Sequence, residues 1–152
     1  MRGDWGHMKS TFVYVGKVRG QGRPRFAQGH AYQTKADTTF KAHIADEYRK
    51  QGGLFYGAMP LSVTIDIQRT LPKSLWDRAK ALFDTGKPDC DNIAKAVLDA
   101  LNGVAFDDDS QVVTLIVRKF PRVRMPNDND QMRVTVSEVD TETVYPQVYI
   151  PE

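Results

Sequence analysis

Residues 86–103 read GKPDCDNIAKAVLDALNG, and the rest of the fold is organised around this stretch. Ile93, Ala96, Val97, Ala100 and Leu101 recur at the three- and four-residue spacing that lines one side of an α-helix. The spacing predicts a helix over residues 91–102, entered after Pro88 and closed by Gly103. Strand patterns flank it on both sides. Upstream, PLSVTIDIQRT (residues 60–70) alternates Leu61, Val63, Ile65 and Ile67 with Ser62, Thr64, Asp66 and Gln68, which predicts a strand with one wet face. Downstream, QVVTLIVRKF (residues 111–120) and QMRVTVSEV (residues 131–139) each read as a strand.

Nearer the start, STFVYVGKV (residues 10–18) sets Phe12 and Tyr14 against Val13 and Val15, another strand. RGQGRPRFAQGHAY (residues 19–32), rich in Gly and Arg, reads as an exposed loop. Phe40, Ile44 and Tyr48 recur every four residues within 34–51, one helical stripe that Gly52 and Gly53 end. LPKSLWDRAKALFDTG (residues 71–86) predicts a short helix with Ser74 as N-cap, Leu75, Ala79, Leu82 and Phe83 inward, and Gly86 as its stop. PRVRMPNDNDQ (residues 121–131) carries two prolines and an Asn/Asp cluster, so the strands on either side of it are expected to pair as an antiparallel hairpin. Strands and helices that do not strictly alternate favour an α+β fold. The expectation is a single small domain over residues 8–152, an antiparallel or mixed sheet packed with about three helices, preceded by a disordered extension at residues 1–7.

A hydrophobic content of 41% and a charged content of 26% are ordinary for a globular chain, and no apolar run approaches the ~20 residues of a membrane helix. The one cysteine, Cys90, excludes an intrachain disulfide framework and suits a reducing compartment. MRGDWGHMKS at the start lacks the apolar core of a signal peptide, so a cytoplasmic location is expected, with residues 1–7 an upstream start or a cloning remnant. The net charge of +2 hides a segregation. Residues 1–50 hold ten Lys/Arg against four Asp/Glu, whereas residues 86–111 hold six Asp against Lys87 and Lys95. A basic surface beside an acidic spot suits a polyphosphate held together with a divalent cation.

Asp91 and Lys95 stand four apart and share a helix face, with Asp99 next in the row and Asp89 just ahead of the helix. The predicted helix rises about 18 Å, and the connection over residues 103–109 can extend to about 23 Å. DDDS (residues 107–110) can therefore return to the helix start and set Asp108 or Asp109 beside Asp89 and Asp91. Three carboxylates in one place favour a hard cation, Mg²⁺ or Mn²⁺, which binds phosphate oxygens and activates water for phosphodiester hydrolysis. Lys95 is placed to offset charge that develops in the transition state. The same residues also suit plainer uses: a helix cap, an Asp91–Lys95 surface pair and an ordinary turn at DDDS. His7, His30 and His43 show no ligand spacing, and the Cys90 thiol is a poor Mg²⁺ ligand.

The block D-x-D-N-x-x-K at residues 89–95, then DALNG at 99–103 and DDDSQVV at 107–113, preceded by GQGRPRF (20–26) and AYQTKADTTF (31–40), resembles the RusA family of Holliday junction resolvases, crossover junction endodeoxyribonucleases. The resemblance implies a homodimeric, Mg²⁺-dependent endonuclease that resolves four-way DNA junctions by paired phosphodiester hydrolysis, in recombination and repair; such resolvases are often carried by prophages. By position it implies catalytic acids at Asp89, Asp91 and Asp109, all three also metal ligands, and the motif lysine at Lys95. Asp108 is an alternative or added ligand, Asp107 a spare, and Asp99 structural. Lys17, Arg19, Arg23, Arg25 and Lys35 are expected on DNA phosphates, with Lys41 near them. Phe26 and Tyr32 either stack on bases or pack in the core, the second being the commoner use. Two other readings stay open: a nuclease-dead junction-binding module, and a metal-dependent nuclease for other branched nucleic acids.

Overall fold

The computed structural model describes residues 8–22, 25–77, 83–139 and 148. In chain order these form β1 (Lys9–Gly16), β2 (Arg25–Ala27), β3 (His30–Tyr32), α1 (Lys35–Lys50), β4 (Leu61–Thr70), α2 (Cys90–Leu101), β5 (Val112–Val123) and β6 (Asp130–Glu138). β1, β6, β4 and β5 make a mixed four-stranded sheet in that order, and β2 pairs with β3 as a separate hairpin. The fold is α+β.

Strand alternation builds the core. Phe12 and Tyr14 of β1, Val63, Ile65 and Ile67 of β4, and Met132, Val134 and Val136 of β6 are all buried. They meet Phe40, Ile44 and Tyr48 of α1 and Ile93, Val97 and Leu101 of α2. Edge-on ring pairs fix the α1 contact, Phe12 on Tyr48 at 5.7 Å and Tyr14 on Phe40 at 5.2 Å between centroids. Each such side chain stabilises by about 1.5–3 kcal/mol through burial. Thr34 caps α1 by accepting from the Asp37 N–H at 3.2 Å.

Three expectations are corrected. The last two strands do not pair as a hairpin, because β4 lies between them, parallel to β5 and antiparallel to β6. The physical reason lies in burial and anchoring. β6 carries Met132, Val134 and Val136 and so takes a central place between β1 and β4. The connection from β5 crosses the end of β4, where the Leu71 N–H donates to Val123 O at 2.7 Å and the Arg122 guanidinium donates to Thr70 O. Asp130 then pins it, accepting from the Thr70 N–H at 2.8 Å and the Val18 N–H at 2.9 Å.

Second, two α-helices rather than about three appear among the described residues. Lys73–Leu75 makes a single 3-10 turn led by Pro72, not by Ser74, while Ala79 and Leu82 lie outside the described residues. Trp76 closes the turn, its indole N–H donating to Leu71 O while Arg124 stacks on its ring. Phe83, expected inward, is 83% exposed. Third, the wet face of β4 is not uniformly wet. Asp66 is buried there, bonded by Arg118 at 2.6 Å and Arg133 at 3.2 Å. The Arg118 bond is the main reason its carboxyl titrates below the ordinary range. The extension at residues 1–7 lies outside the described residues.

The sheet's two margins differ. At β1 the Gln51 side chain accepts from the Val13 N–H and donates to Val13 O, both at 2.9 Å. At β5, among the described residues, no strand pairs with the outer edge.

Candidate nucleic-acid cleft at the start of α2

The turn that leads into α2 is held from below. Lys119 of β5 donates to the carbonyls of Gly86 at 2.6 Å and Pro88 at 3.0 Å. Beside it Asp84, its side chain 1% exposed, takes a bidentate bond from Arg69 at 2.7 and 2.8 Å and lies 3.6 Å from Lys119 Nζ. Burial pushes the Asp84 carboxyl up, but the Arg69 bonds and the charges of Arg69, Lys119 and Arg122 outweigh it, and the net direction is downward.

Asp89 is the N-cap residue of α2, yet its carboxylate makes no capping bond. Instead its Oδ2 accepts from Lys87 Nζ at 2.8 Å. Asp91 lies in the first turn and Lys95 one turn on, both exposed. The helix N-terminus favours both carboxylates.

The basic loop docks onto this same helix end. The Gln21 N–H donates to Asn92 O at 2.9 Å. A Cβ on Gly20 would sit 2.8 Å from Pro88 Cβ and 3.0 Å from Asn92 Cβ, so only glycine permits the approach. Between loop and helix opens a cleft of about 590 Å³ lined by Lys17, Arg19, Arg25, Thr34, Lys87 and Pro88. Arg19 Nε lies 3.6 Å from Asp37 and, like Gln21 Oε1, is a buried atom with no hydrogen-bond partner among the described residues. Asp37 also lines the cleft, which is otherwise cationic and adjoins Asp89 and Asp91 at the helix start.

Not every expected residue joins it. Arg23 lies outside the described residues. Lys35 is exposed at the first position of α1 and does not line the cleft. Lys41 instead ties α1 to α2, bonding Asp99 at 2.5 Å and Gln33 at 2.9 Å. Phe26 and Tyr32, read as more often core, are exposed on the β2–β3 hairpin.

The aspartate loop sits elsewhere. The Asp107 N–H donates to Gly57 O at 3.0 Å. Asp108 caps a 3-10 turn at Asp109–Gln111, accepting from the Ser110 N–H at 3.1 Å. The Ser110 side chain, and after it the Ser110 N–H, draws the Asp108 carboxyl below the ordinary range. Gln111 bonds the carbonyls of Gly57 and Met59. The loop is therefore fixed where Leu61 pairs with Val112, whereas the Asp89 turn is fixed at Lys119, opposite Ile67. Those points lie about 23 Å apart along β5 at the usual strand rise. Within one chain Asp108 and Asp109 do not meet Asp89 and Asp91. Among the described residues no group of three or more His, Cys, Asp or Glu is placed to hold a metal. The connection has the length but not the freedom, because Ala105 and Phe106 are buried and Gly103 N–H donates back to Phe106 O.

The family model for Endodeoxyribonuclease RusA matches residues 16–137, from the basic loop through the acid pair to the end of the sheet. This chain belongs to the RusA endodeoxyribonuclease family. RusA membership brings Holliday junction endonuclease activity and junction DNA as partner. The uncharacterized protein YqaN of Bacillus subtilis (strain 168) is 35% identical over 133 residues, covering 75% of this chain and 92% of YqaN. No helix among the described residues of this RusA chain is long and apolar enough to cross a membrane. Sequence reasoning missed Lys87, Lys119 and the Arg69–Asp84 pair. Lys87 was findable beside the motif, but Lys119 reaches the turn only through sheet pairing.

Proposed function

We propose that the chain nicks four-way DNA junctions as a Mg²⁺-dependent homodimer, in recombination and repair. One observation carries the reading: the Gly20–Asn92 and Gly20–Pro88 contacts set a cationic cleft against the helix start that bears Asp89 and Asp91. Lys17, Arg19 and Arg25 hold phosphates there without reading sequence, which suits recognition of a branched shape.

Asp89 and Asp91 fit Mg²⁺ chemically, since this ion takes one or two carboxylates, keeps several waters and accepts phosphate oxygens. When bound it would polarise water and neutralise developing charge. The third donor, Asp109, is too far away in one chain, so a second copy supplies it. Lys95 lies one helical turn beyond Asp91, on the same row, to balance charge on the scissile phosphate. Lys119 and the Arg69–Asp84 pair hold the turn so that Asp89 meets DNA in a fixed position.

The test is a synthetic four-way junction, labelled on each strand, compared with a flap, a fork and linear duplex, in Mg²⁺ and in EDTA. Paired nicks on the junction in Mg²⁺ and none in EDTA are expected. Binding without nicking at any protein excess would make the chain a junction-binding module. Equal rates on all four substrates would make it a general nuclease.

The cleft gives a second expectation. Replacing Lys17 and Arg25 by Ala should weaken binding to junctions of any sequence and flatten the slope of log K against log salt by about 0.9 for each phosphate no longer neutralised. Fluorescence anisotropy across a KCl series reads it. An unchanged slope removes these residues from the DNA path.

A further inference from the structure

We infer that Lys73, Arg122 and Arg124, gathered around Trp76 where β4 and β5 end, form a second phosphate-binding surface that holds a DNA arm leaving the acid pair; this rests on the junction reading above. Backbone anchors bring the three together. Trp76 donates its indole N–H to Leu71 O at 3.1 Å, and the Leu71 N–H donates to Val123 O at 2.7 Å. The ring so fixed carries the Arg124 guanidinium on its face at 3.8 Å, and Lys73 Nζ lies 5.8 Å from the ring centroid. Arg122 donates from Nε and Nη2 to Thr70 O at 3.0 and 2.7 Å, while its Nη1 has no partner among the described residues.

Chemistry selects a phosphate. Arg124 is exposed, and neither it nor Arg122 has a carboxylate partner within ion-pair distance among the described residues. A guanidinium stacked on an indole keeps its in-plane donors and loses little freedom when it takes a phosphate oxygen. Lys73 is 75% exposed, with Asp128 at 4.0 Å, the limit of an ion pair. Asp84, whose carboxyl also feels the Arg122 charge, is already engaged by Arg69 and Lys119.

Position selects a polymer of phosphates. Asp130 accepts from the Val18 N–H, where the basic loop leaves β1, and from the Thr70 N–H, where β4 ends. The cleft and the Trp76 patch therefore lie at one end of the sheet, the first reached from β1 and the second from β5. Three strand spacings separate these margins, about 14 Å, the axial rise of about four base steps. Between them stands the start of α2, met by Gly20 from the β1 side and held by Lys119 from the β5 side. DNA whose scissile phosphate meets Asp89 and Asp91 thus finds cations in both directions. A small anion spans only one of the two surfaces.

Fluorescence anisotropy in EDTA, where nothing is cut, reads binding alone. Lys73→Ala combined with Arg124→Ala should weaken binding to a four-way junction roughly tenfold and flatten the slope of log K against log salt by about 0.9 for each phosphate freed. Both side chains are exposed, so circular dichroism should not change, and Lys73→Ala alone should give a smaller loss in the same direction. Lys9→Ala, at the opposite end of β1, should change neither affinity nor slope. Single methylphosphonates, scanned along the strand on either side of the cut, should reveal phosphates whose neutralisation weakens wild type but not the double variant, distinct from those that Lys17 and Arg25 sense. Unchanged affinity and slope in the double variant, an equal loss from Lys9→Ala, or a patch that shares every phosphate with the cleft would overturn the inference. None of these readouts needs nicking. Binding lost at the patch in a chain that never cuts upholds this surface while sinking the nuclease reading, and junctions nicked in Mg²⁺ by a chain whose patch is inert do the reverse.

Discussion

Asp91→Asn should lower junction nicking by about a thousandfold, while junction affinity stays level or tightens. The substitution keeps size and hydrogen-bonding capacity, and Asp91 is exposed in the first turn of α2, with no side-chain partner among the described residues to strand. The stability cost is confined to a helix-dipole contribution of about 0.3–1 kcal/mol. What disappears is a hard anionic donor, and a thousandfold corresponds to about 4 kcal/mol of transition-state stabilisation. Phosphate binding gains because one carboxylate no longer repels the backbone. Single-turnover nicking beside anisotropy separates the two effects. Activity within tenfold of wild type would remove Asp91 from the reaction.

Asp84→Ala should destabilise the fold by about 3–5 kcal/mol, the cost of breaking a buried ion pair from one side. Arg69 and Lys119, both largely buried, would be left without their carboxylate. For a chain of this length that is a fall in Tm on the order of 10 °C, readable by calorimetry. The pH dependence has a definite sign. A carboxyl depressed in the folded state adds stability above its unfolded pKa of about 3.9 and loses it as pH falls through the lower native value. The gap between wild type and variant should therefore be full at neutral pH and narrow in acid. A constant gap down to strong acid would mean that packing, not charge, holds the turn.

Both helices were legible because their apolar stripes are local: Phe40, Ile44 and Tyr48 on one, Ile93, Val97 and Leu101 on the other, all buried as the spacing implied. The alternation in β1 and β4 was equally plain. Strand order was not, since a two-residue period says which face is buried but not which neighbour pairs, and β6 enters the sheet beside residues more than a hundred positions away. At the site, the Asp89–Lys95 block was readable as a motif. The position of Asp109 was misjudged, because contour length bounds how far a loop reaches but not where buried residues such as Phe106 anchor it. The Arg69–Asp84–Lys119 support was invisible, as it joins three segments that only tertiary packing brings together.

Gln51, a single amide at the end of α1, bears on stoichiometry. A sheet open at both margins can add copies without limit and grow into a filament. By meeting both backbone groups of Val13, Gln51 closes one direction of growth.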